Sequence, residues 1–185
     1  QIVTRAEPLI APTLVVADVD DDGEFTADVL AVNGTGTPGS KVRLLVDGNP
    51  VGLASVDADG TWSSDLPFDD LGAYQITAEA LNRNDESVAL SDPVLVSRVR
   101  PIVAPTLTAI PNPFLANSLL LSGKGTPEST VRIAAQNQIV GDVPVDRNGN
   151  WSFNLMLPEP GDYQIQAGAV DKQDQVIASS DTLLY

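Results

Sequence analysis

The sequence of 185 residues contains no cysteine and no histidine. Without cysteine, disulfide bonds and thiolate metal sites are excluded. Without histidine, the commonest general base at neutral pH is missing, and no Cys–His nucleophile pair can form. Paired carboxylates could still serve glycoside hydrolysis, but no serine or carboxylate stands within a recognisable catalytic motif. We therefore expect a protein that is not an enzyme.

Basic residues are also scarce, since 10 lysines and arginines against 25 aspartates and glutamates give a formal net charge of −15. Such an acidic surface repels phosphate backbones, so we expect no nucleic-acid partner. No run approaches the roughly 20 apolar residues of a membrane span, and we expect no membrane insertion. The chain begins at Gln1 without a signal peptide, which indicates a processed terminus or the edge of a longer protein.

The sequence does contain an internal repeat. When residues 30–96 are aligned with residues 119–185, 27 of the 67 pairs are identical and no gap is needed. The phrase VDADGTWS returns as VDRNGNWS, with tryptophan at the same place. This level of identity indicates a duplication. The identical pairs include Gly34/Gly123, Val42/Val131, Arg43/Arg132, Gly60/Gly149, Trp62/Trp151, Gly72/Gly161 and Tyr74/Tyr163.

Upstream of the gapless stretch the two copies differ in length. PLIAPTL (8–14) matches PIVAPTL (101–107), and the first copy then holds four more residues before its GTG, in VVADVDDDGEFTAD against TAIPNPFLAN. The match extends back to IVTRA, which aligns with LVSRV at the end of copy one. Residues 1–7 are therefore predicted to be the tail of a preceding repeat or a strand donated to another subunit. We expect two domains, 8–98 and 99–185.

Each copy has the pattern of an antiparallel sandwich. Apolar and polar residues alternate with a period of two, as in Val42–Val46, Tyr74–Ala80 and Trp151–Leu155, which places one strand face in a core. About seven short strands with turns every 8–12 residues are typical of this architecture. TPGS and TPES are predicted turns, and DADG and DRNG are predicted hairpin turns. The tryptophans should fill the core, and Gly72-Ala73-Tyr74 and Gly161-Asp162-Tyr163 should form tyrosine corners.

The strings GTGTPGSKVRLLVDG, VDADGTWS, LGAYQITAEAL and SDPVLV resemble the bacterial immunoglobulin-like domains found in tandem in surface proteins and adhesins. Both copies match, so the resemblance covers nearly the whole chain. It implies an all-β fold of two tandem immunoglobulin-like antiparallel sandwiches, which we expect in an elongated arrangement. It also implies a secreted or cell-surface location and a spacer or adhesive role. The strings define a fold and carry no catalytic motif.

The acidic stretch from Asp18 to Glu24 is the sharpest candidate site. It contains D-x-D-x-D-G, the first half of a calcium loop, but Val29 stands where an EF-hand needs a bidentate glutamate. A looser oxygen cage would use Asp18, Asp20, Asp22 and Glu24, with Asp28 as a further candidate. The alternative is a solvated hairpin tip. Calcium is thus the one candidate cofactor, and none is certain.

Two further sets of residues have a structural and a functional interpretation. Trp62, Trp151, Tyr74 and Tyr163 are predicted core residues rather than a sugar-stacking platform, because aromatic residues make up only 5% of the chain. Arg43 and Arg132 are predicted to form cross-strand salt bridges on the polar face, with a role at the contact between domains as the alternative.

We therefore expect a rod of two sandwiches, or the subunit of a cell-surface fibre that assembles head to tail with other copies or with neighbouring immunoglobulin-like domains. The alternative is a module that binds carbohydrate or peptidoglycan at the cell envelope, with or without calcium.

Overall fold

The computed structural model describes residues 8–111 and 117–185, and strands are the regular elements in these ranges. The chain divides into two compact units, residues 1–100 and 101–185. Residues 1–7, the predicted donated strand, lie outside the described part. Unit 1 has β1 (Val15–Val16), β2 (Glu24–Phe25), β3 (Val29–Thr35), β4 (Lys41–Val46), β5 (Asn49–Ser55), β6 (Thr61–Pro67), β7 (Gly72–Leu81), β8 (Ser87–Leu90) and β9 (Val94–Arg98). Unit 2 has β10 (Thr108–Pro111), β11 (Ser118–Lys124), β12 (Thr130–Ala135), β13 (Gln138–Pro144), β14 (Asn150–Met156), β15 (Gln164–Val170), β16 (Val176–Ser179) and β17 (Leu183–Leu184).

The strands of unit 1 form two sheets. One has the order β1-β3-β6, and the other has the order β2-β9-β7-β4-β5 with β8 also paired to β7. All these pairs are antiparallel except β2 and β9, which run parallel. Inward side chains of both sheets meet in one core, which contains Leu30, Val32, Val42, Leu44, Trp62, Leu66, Ile76, Ala78 and Val96.

Unit 2 repeats this architecture. One sheet has the order β10-β11-β14, and the other has the order β13-β12-β15-β16 with β17 also paired to β15. Its core occupies the aligned positions and contains Leu119, Leu121, Val131, Ile133, Trp151, Leu155, Ile165 and Ala167. The predicted all-β sandwich is confirmed in both units. No helix of the described residues is long and apolar enough to cross a membrane.

Each tryptophan lies between the two sheets of its unit. Trp62 and Trp151 each expose only 3% of their surface. The indole N–H of Trp62 donates to the carbonyl of Thr35 at 3.2 Å, and that of Trp151 donates to the carbonyl of Lys124 at 3.2 Å. The indole is thus buried with its one polar atom satisfied, which confirms the predicted core position.

The turns DADG and DRNG are not hairpin turns, and that prediction was wrong. The turn at 57–60 does bend tightly, with Gly60 at φ +87°. However, β5 before it pairs with β4, whereas β6 after it pairs with β3 in the other sheet. Turn residues specify the local bend only. Val56 and its counterpart Val145, each 3% exposed, are buried in the core beside the turn, where the chain passes from one sheet to the other.

The two-residue hairpin turns lie elsewhere. β4 and β5 are joined by Asp47-Gly48, at φ +50° and +77°, and β12 and β13 are joined by Gln136-Asn137, at φ +52° and +62°. Positive φ at both central residues matches the twist of the flanking strands. Unit 2 has the same turn although Asn137 stands where unit 1 has Gly48. Asparagine adopts positive φ more readily than most residues other than glycine.

The predicted tyrosine corners are present in both units. The hydroxyl of Tyr74 donates to the carbonyl of Asp70 at 2.8 Å, and that of Tyr163 donates to the carbonyl of Glu159 at 2.7 Å. In each case the bond spans four residues and fixes the bend that precedes the strand.

Replacing Tyr163 with phenylalanine removes this one bond and keeps the ring. We expect a loss of about 1 kcal/mol in the free energy of unfolding of unit 2, the usual net contribution of such a bond. Urea unfolding followed by Trp151 fluorescence, in a Trp62→Phe background, measures it. An unchanged midpoint would show that the corner is dispensable.

Candidate functional site

The acidic loop of unit 1 is organised around one carboxylate. Oδ1 of Asp20 accepts the backbone N–H groups of Asp22 at 3.0 Å and of Glu24 at 2.7 Å. The backbone closes the same turn, because Asp20 N donates to the carbonyl of Glu24 and Gly23 N donates to the carbonyl of Asp20. Gly23 adopts φ +77°. Asp20 therefore holds the loop in shape as an Asx residue does in many turns.

The same five-residue turn occurs at five places in the described residues. In each, the first residue is Asp or Asn, its N–H donates to the fifth carbonyl, the fourth N–H donates to the first carbonyl, and the fourth residue has positive φ. The acidic loop is thus one member of a set that this fold uses repeatedly. The five turns are 20–24, 57–61, 82–86, 146–150 and 171–175.

The calcium prediction concerns Asp18, Asp20, Asp22 and Glu24. Within the described ranges, no three side chains of the Asp, Glu, His and Cys types are grouped so that they could hold a metal ion. The oxygen Oδ1 of Asp20 already accepts two backbone N–H groups. The turn therefore has a full structural explanation without a cation, and calcium binding stays a prediction of the sequence.

A calcium titration checks that prediction. Binding to the folded state raises the melting midpoint in proportion to the logarithm of ligand concentration. A calcium site therefore requires the midpoint of unit 1 to rise at millimolar calcium, and to rise less in the Asp18→Asn/Asp22→Asn protein, which keeps Asp20 for the turn. An unchanged midpoint in the unaltered protein removes the site.

Arg43 and Arg132 form the predicted cross-strand salt bridges, but with partners on opposite sides. Nη1 of Arg43 lies 3.3 Å from Glu79, its direct neighbour on β7. Nη2 of Arg132 lies 2.8 Å from Asp142, its direct neighbour on β13, on the other side. At the position of Asp142 the first copy has Leu53. Both copies have the arginine, but the acid beside it lies on β7 in unit 1 and on β13 in unit 2.

Arg132 is the more strongly paired of the two arginines. Its Nε and Nη2 bind both carboxylate oxygens of Asp142 at 2.9 and 2.8 Å, and Nη2 also binds Asp174 at 2.6 Å. Hydrogen bonds from Arg132 lower the pKa of Asp142, and those to Asp142 and then Asp174 raise the pKa of Arg132. These contacts tie the hairpin after β15 to the middle of the sheet, which is a structural role.

Arg98 was not identified from the sequence, yet it connects β9 to two loops of unit 1. Its guanidinium donates to the carbonyls of Ala27 at 3.0 Å and Asp69 at 2.8 Å, and it pairs with the carboxylate of Asp28. The available signal was the match of IVTRA to LVSRV, in which Arg5 aligns with Arg98. The arginine joins the end of β9 to two separate loops.

The turn at 146–150 in unit 2 contains a carboxyl group, that of Asp146, whose pKa is shifted. The backbone N–H of Asn150, and then its side-chain amide, lower the pKa of Asp146 from the ordinary value of 3.8. A folded-state pKa below the unfolded one means that the unfolded chain binds more protons. The stabilisation from Asp146 is therefore complete above about pH 4 and is lost as the pH falls through the folded-state pKa.

We expect Asp146→Asn, which keeps an acceptor oxygen but does not titrate, to flatten the acid dependence of unit 2. Urea midpoints at pH 7, 4, 3 and 2.5, read from Trp151 fluorescence in the Trp62→Phe background, measure this. Asp162→Asn is the control for removing one negative charge. Equal slopes below pH 4 in the altered and unaltered proteins would contradict the assignment.

The aromatic residues do not form a sugar-stacking surface in the described structure. Both indoles are buried, and the hydroxyls of Tyr74 and Tyr163 are bonded to the backbone. A solvent-open recess of about 790 Å³ lies at one end of unit 1, between the turn at 37–41 and the hairpin at 81–85. Such a volume is within the range of ligand sites, but this recess lacks the enclosed apolar lining that such sites usually have.

The geometry of unit 2 agrees with a comparison of sequences. Residues 104–183 match the family model described as a bacterial Ig domain. Unit 2 is therefore similar to bacterial Ig domains. This confirms the resemblance drawn from the repeated strings. Unit 1 shares with unit 2 the order of the aligned strands and 27 of 67 aligned residues, and it has β2 in addition.

Solved structures that are similar to this chain include the following two. The fibronectin(III)-like modules of Clostridium thermocellum CbhA are 17% identical over 93% of this chain and 91% of theirs, with a TM-score of 0.42. A tetra-tandem repeat from the extending region of a large adhesion protein is 23% identical over 95% of this chain and 48% of its own, with a TM-score of 0.49. The likenesses concern the fold alone. No curated protein matches this chain significantly.

Proposed function

We propose that this chain is a non-enzymatic structural segment of a secreted or cell-surface bacterial protein, in which tandem Ig-like units act as a spacer. The observation that carries the proposal is that the aromatic residues common to the two copies have structural roles. Their common residues have structural roles: Trp62 and Trp151 fill cores, and Tyr74 and Tyr163 fix corners. A duplication that retains packing and turn residues, while the charged partners of Arg43 and Arg132 change, supports a mechanical role.

The acidic composition supports a role in solvent rather than on nucleic acid or membrane. A net charge of −15 over 185 residues keeps the units soluble and mutually repulsive.

The location is tested in the native cell. Antibodies raised against the 185-residue chain should stain intact cells or detect the protein in the medium, and external protease should remove the signal. Staining that appears only after the cells are permeabilised would contradict the proposal. A cytoplasmic protein tested in parallel controls for cell lysis.

The finer version of the proposal is a fibre assembled head to tail, in which residues 1–7 add a strand to another subunit. Two observations support it: IVTRA aligns with LVSRV, and in the first copy residues 95–98 of that string lie in β9, which pairs with β7 in the sheet. Contacts of this kind do not close and give filaments.

Electron microscopy and sedimentation velocity on the whole chain test this assembly. The proposal requires filaments or higher oligomers that disappear when residues 1–7 are removed. A monodisperse monomer at high concentration, identical with and without residues 1–7, would remove the fibre and leave the spacer role intact.

A further inference from the structure

We infer that Asn148 is a site of spontaneous deamidation, a covalent modification that gives one turn of unit 2 the negative charge that the first copy encodes. The second copy has DRNG where the first has DADG, so that Asn148 aligns with Asp59. The inference concerns the chemistry of this turn and does not depend on the role of the chain as a spacer.

Deamidation requires an asparagine followed by a residue whose backbone nitrogen can reach the side-chain carbonyl carbon. Glycine is the most permissive residue at the second position, because it has no Cβ and adopts backbone conformations that other residues avoid. Asparagine precedes glycine at two places in the chain, Asn33-Gly34 and Asn148-Gly149. The surroundings of these two pairs differ, and we therefore expect different rates.

Asn33 lies in the middle strand of a sheet. It is paired with Val15 of β1 on one side and with Ser63 of β6 on the other. Gly34 packs so closely that a Cβ there would lie 1.9 Å from the carbonyl oxygen of Thr13. Ring closure would require the backbone between Asn33 and Gly34 to rotate, which would break the pairing on both sides. The sheet therefore protects this asparagine.

Asn148 lies in an exposed turn, before β14 begins at Asn150. Its backbone N–H donates to Oδ1 of Asp146 at 2.8 Å, whereas its side-chain amide forms no hydrogen bond within the part of the chain that the structure describes. The attacking nitrogen, that of Gly149, donates its hydrogen to the carbonyl of Asp146 at 2.9 Å. The reaction therefore requires the opening of one turn bond rather than of a strand.

The reaction balances with water as the one co-reactant. Hydroxide takes the proton from the N–H of Gly149, this nitrogen forms a bond to Cγ of Asn148, and the bond from Cγ to Nδ2 breaks. Nδ2 takes a proton from water and leaves as ammonia, so that the turn contains a cyclic succinimide. One water molecule then opens the ring. Cleavage at Cγ gives aspartate, and cleavage at the main-chain carbonyl carbon gives isoaspartate, in which the chain continues through the former side chain.

The aspartate product fits this turn, because the first copy has aspartate at the same position. Oδ1 of Asp59 accepts the hydroxyl of Thr61 at 2.7 Å and its backbone N–H at 3.0 Å. The hydroxyl of Thr61, and then its backbone N–H, lower the pKa of Asp59. An ionised carboxylate resists attack by the nitrogen of Gly60, so the first copy has the charge without the reaction.

The isoaspartate product fits poorly, since it inserts one additional backbone atom before Gly149. Gly149 is buried, and its carbonyl accepts the N–H of Gly125 at 3.0 Å. A Cβ on Gly149 would lie 3.0 Å from the carbonyl oxygen of Gly125, so the space on that side is already filled. Trp151 of the core follows two residues later. We therefore expect the isoaspartate form to destabilise unit 2.

Ageing of the whole chain tests the site. The folded protein and the protein unfolded in guanidinium chloride are kept at pH 8, and both Asn-Gly peptides are followed over time by proteolytic digestion and tandem mass spectrometry. We expect equal rates for the two asparagines in the unfolded chain. In the folded protein, Asn148 should react at least about tenfold faster than Asn33, because a turn opens far more often than a strand in the middle of a sheet. A smaller ratio, or no product at Asn148 by the time the unfolded chain has reacted completely, would overturn the inference.

Two variants separate the reaction from its consequence. Asn148→Ser cannot form the succinimide, and its peptide should gain no charge. Asn148→Asp has the charge with a normal backbone, and its urea midpoint should equal that of fresh protein. The isoaspartate form, separated from aged protein by ion exchange, should unfold at lower urea, as read from Trp151 fluorescence in the Trp62→Phe background. An isoaspartate form as stable as Asn148→Asp would refute the expected loss of stability.

Discussion

Replacing Trp151 with alanine is expected to destabilise unit 2 by about 3–5 kcal/mol, the range measured for removing a large aromatic side chain from a core. The indole is 3% exposed and packs among the residues of both sheets. Its removal leaves a cavity that the surrounding strands cannot fill without shifting, and it leaves the carbonyl of Lys124 without the indole donor. A loss of this size approaches the whole stability of a small domain.

Circular dichroism during urea unfolding measures the loss, while the fluorescence of Trp62 reports unit 1 separately. Trp151→Phe is the matched variant, because it keeps a ring and loses only the N–H donor and part of the volume. We expect it to recover more than half of the loss. Equal destabilisation by alanine and phenylalanine would show that the hydrogen bond, rather than the packing of the ring, holds unit 2 together.

Much of the fold could be predicted because the same pattern of residues occurs in both copies, so that each copy supports the interpretation of the other. The strand faces followed from alternation, and the buried positions of Trp62 and Trp151 followed from their place in that alternation. The corners of Tyr74 and Tyr163 followed from a glycine and a tyrosine at the start of a strand. Each of these patterns lies within a few consecutive residues and determines the local structure by itself, so it could be interpreted without knowledge of distant contacts.

The errors concern relations between distant residues. DADG predicted a bend correctly but not that β6 joins a different sheet from β5, since nothing in four residues specifies the pairing partner. Arg98 was missed because its contacts, Ala27, Asp28 and Asp69, lie 71, 70 and 29 residues away. The calcium site at the acidic loop stays a prediction, to which the structure adds that the carboxylate of Asp20 accepts two backbone N–H groups.

Replacing Gly34 with alanine is expected to destabilise unit 1 by at least about 3 kcal/mol, the upper end of the usual cost of overpacking. A Cβ at Gly34 would lie 1.9 Å from the carbonyl oxygen of Thr13 and 2.8 Å from the indole of Trp62. Neither neighbour can move away easily, because the carbonyl of Thr13 belongs to the backbone and the indole of Trp62 is buried in the core. The same clash recurs at Gly123, with Thr106 and Trp151.

The consequence should be specific as well as large. The methyl group would push residues 10–16 away from β3 and break the bond from Thr13 N to the carbonyl of Thr35 and that from Thr35 N to Oγ1 of Thr13. We therefore expect cleavage by protease near Thr13 before the rest of unit 1 unfolds. Gly52→Ala is the control, since its Cβ would meet only ordinary contacts at 3.8 Å or more and should change stability by less than about 0.5 kcal/mol. If Gly34→Ala is as stable as Gly52→Ala, the prediction is wrong. The close approach of Thr13 and Trp62 would then not explain why both copies have glycine at this position.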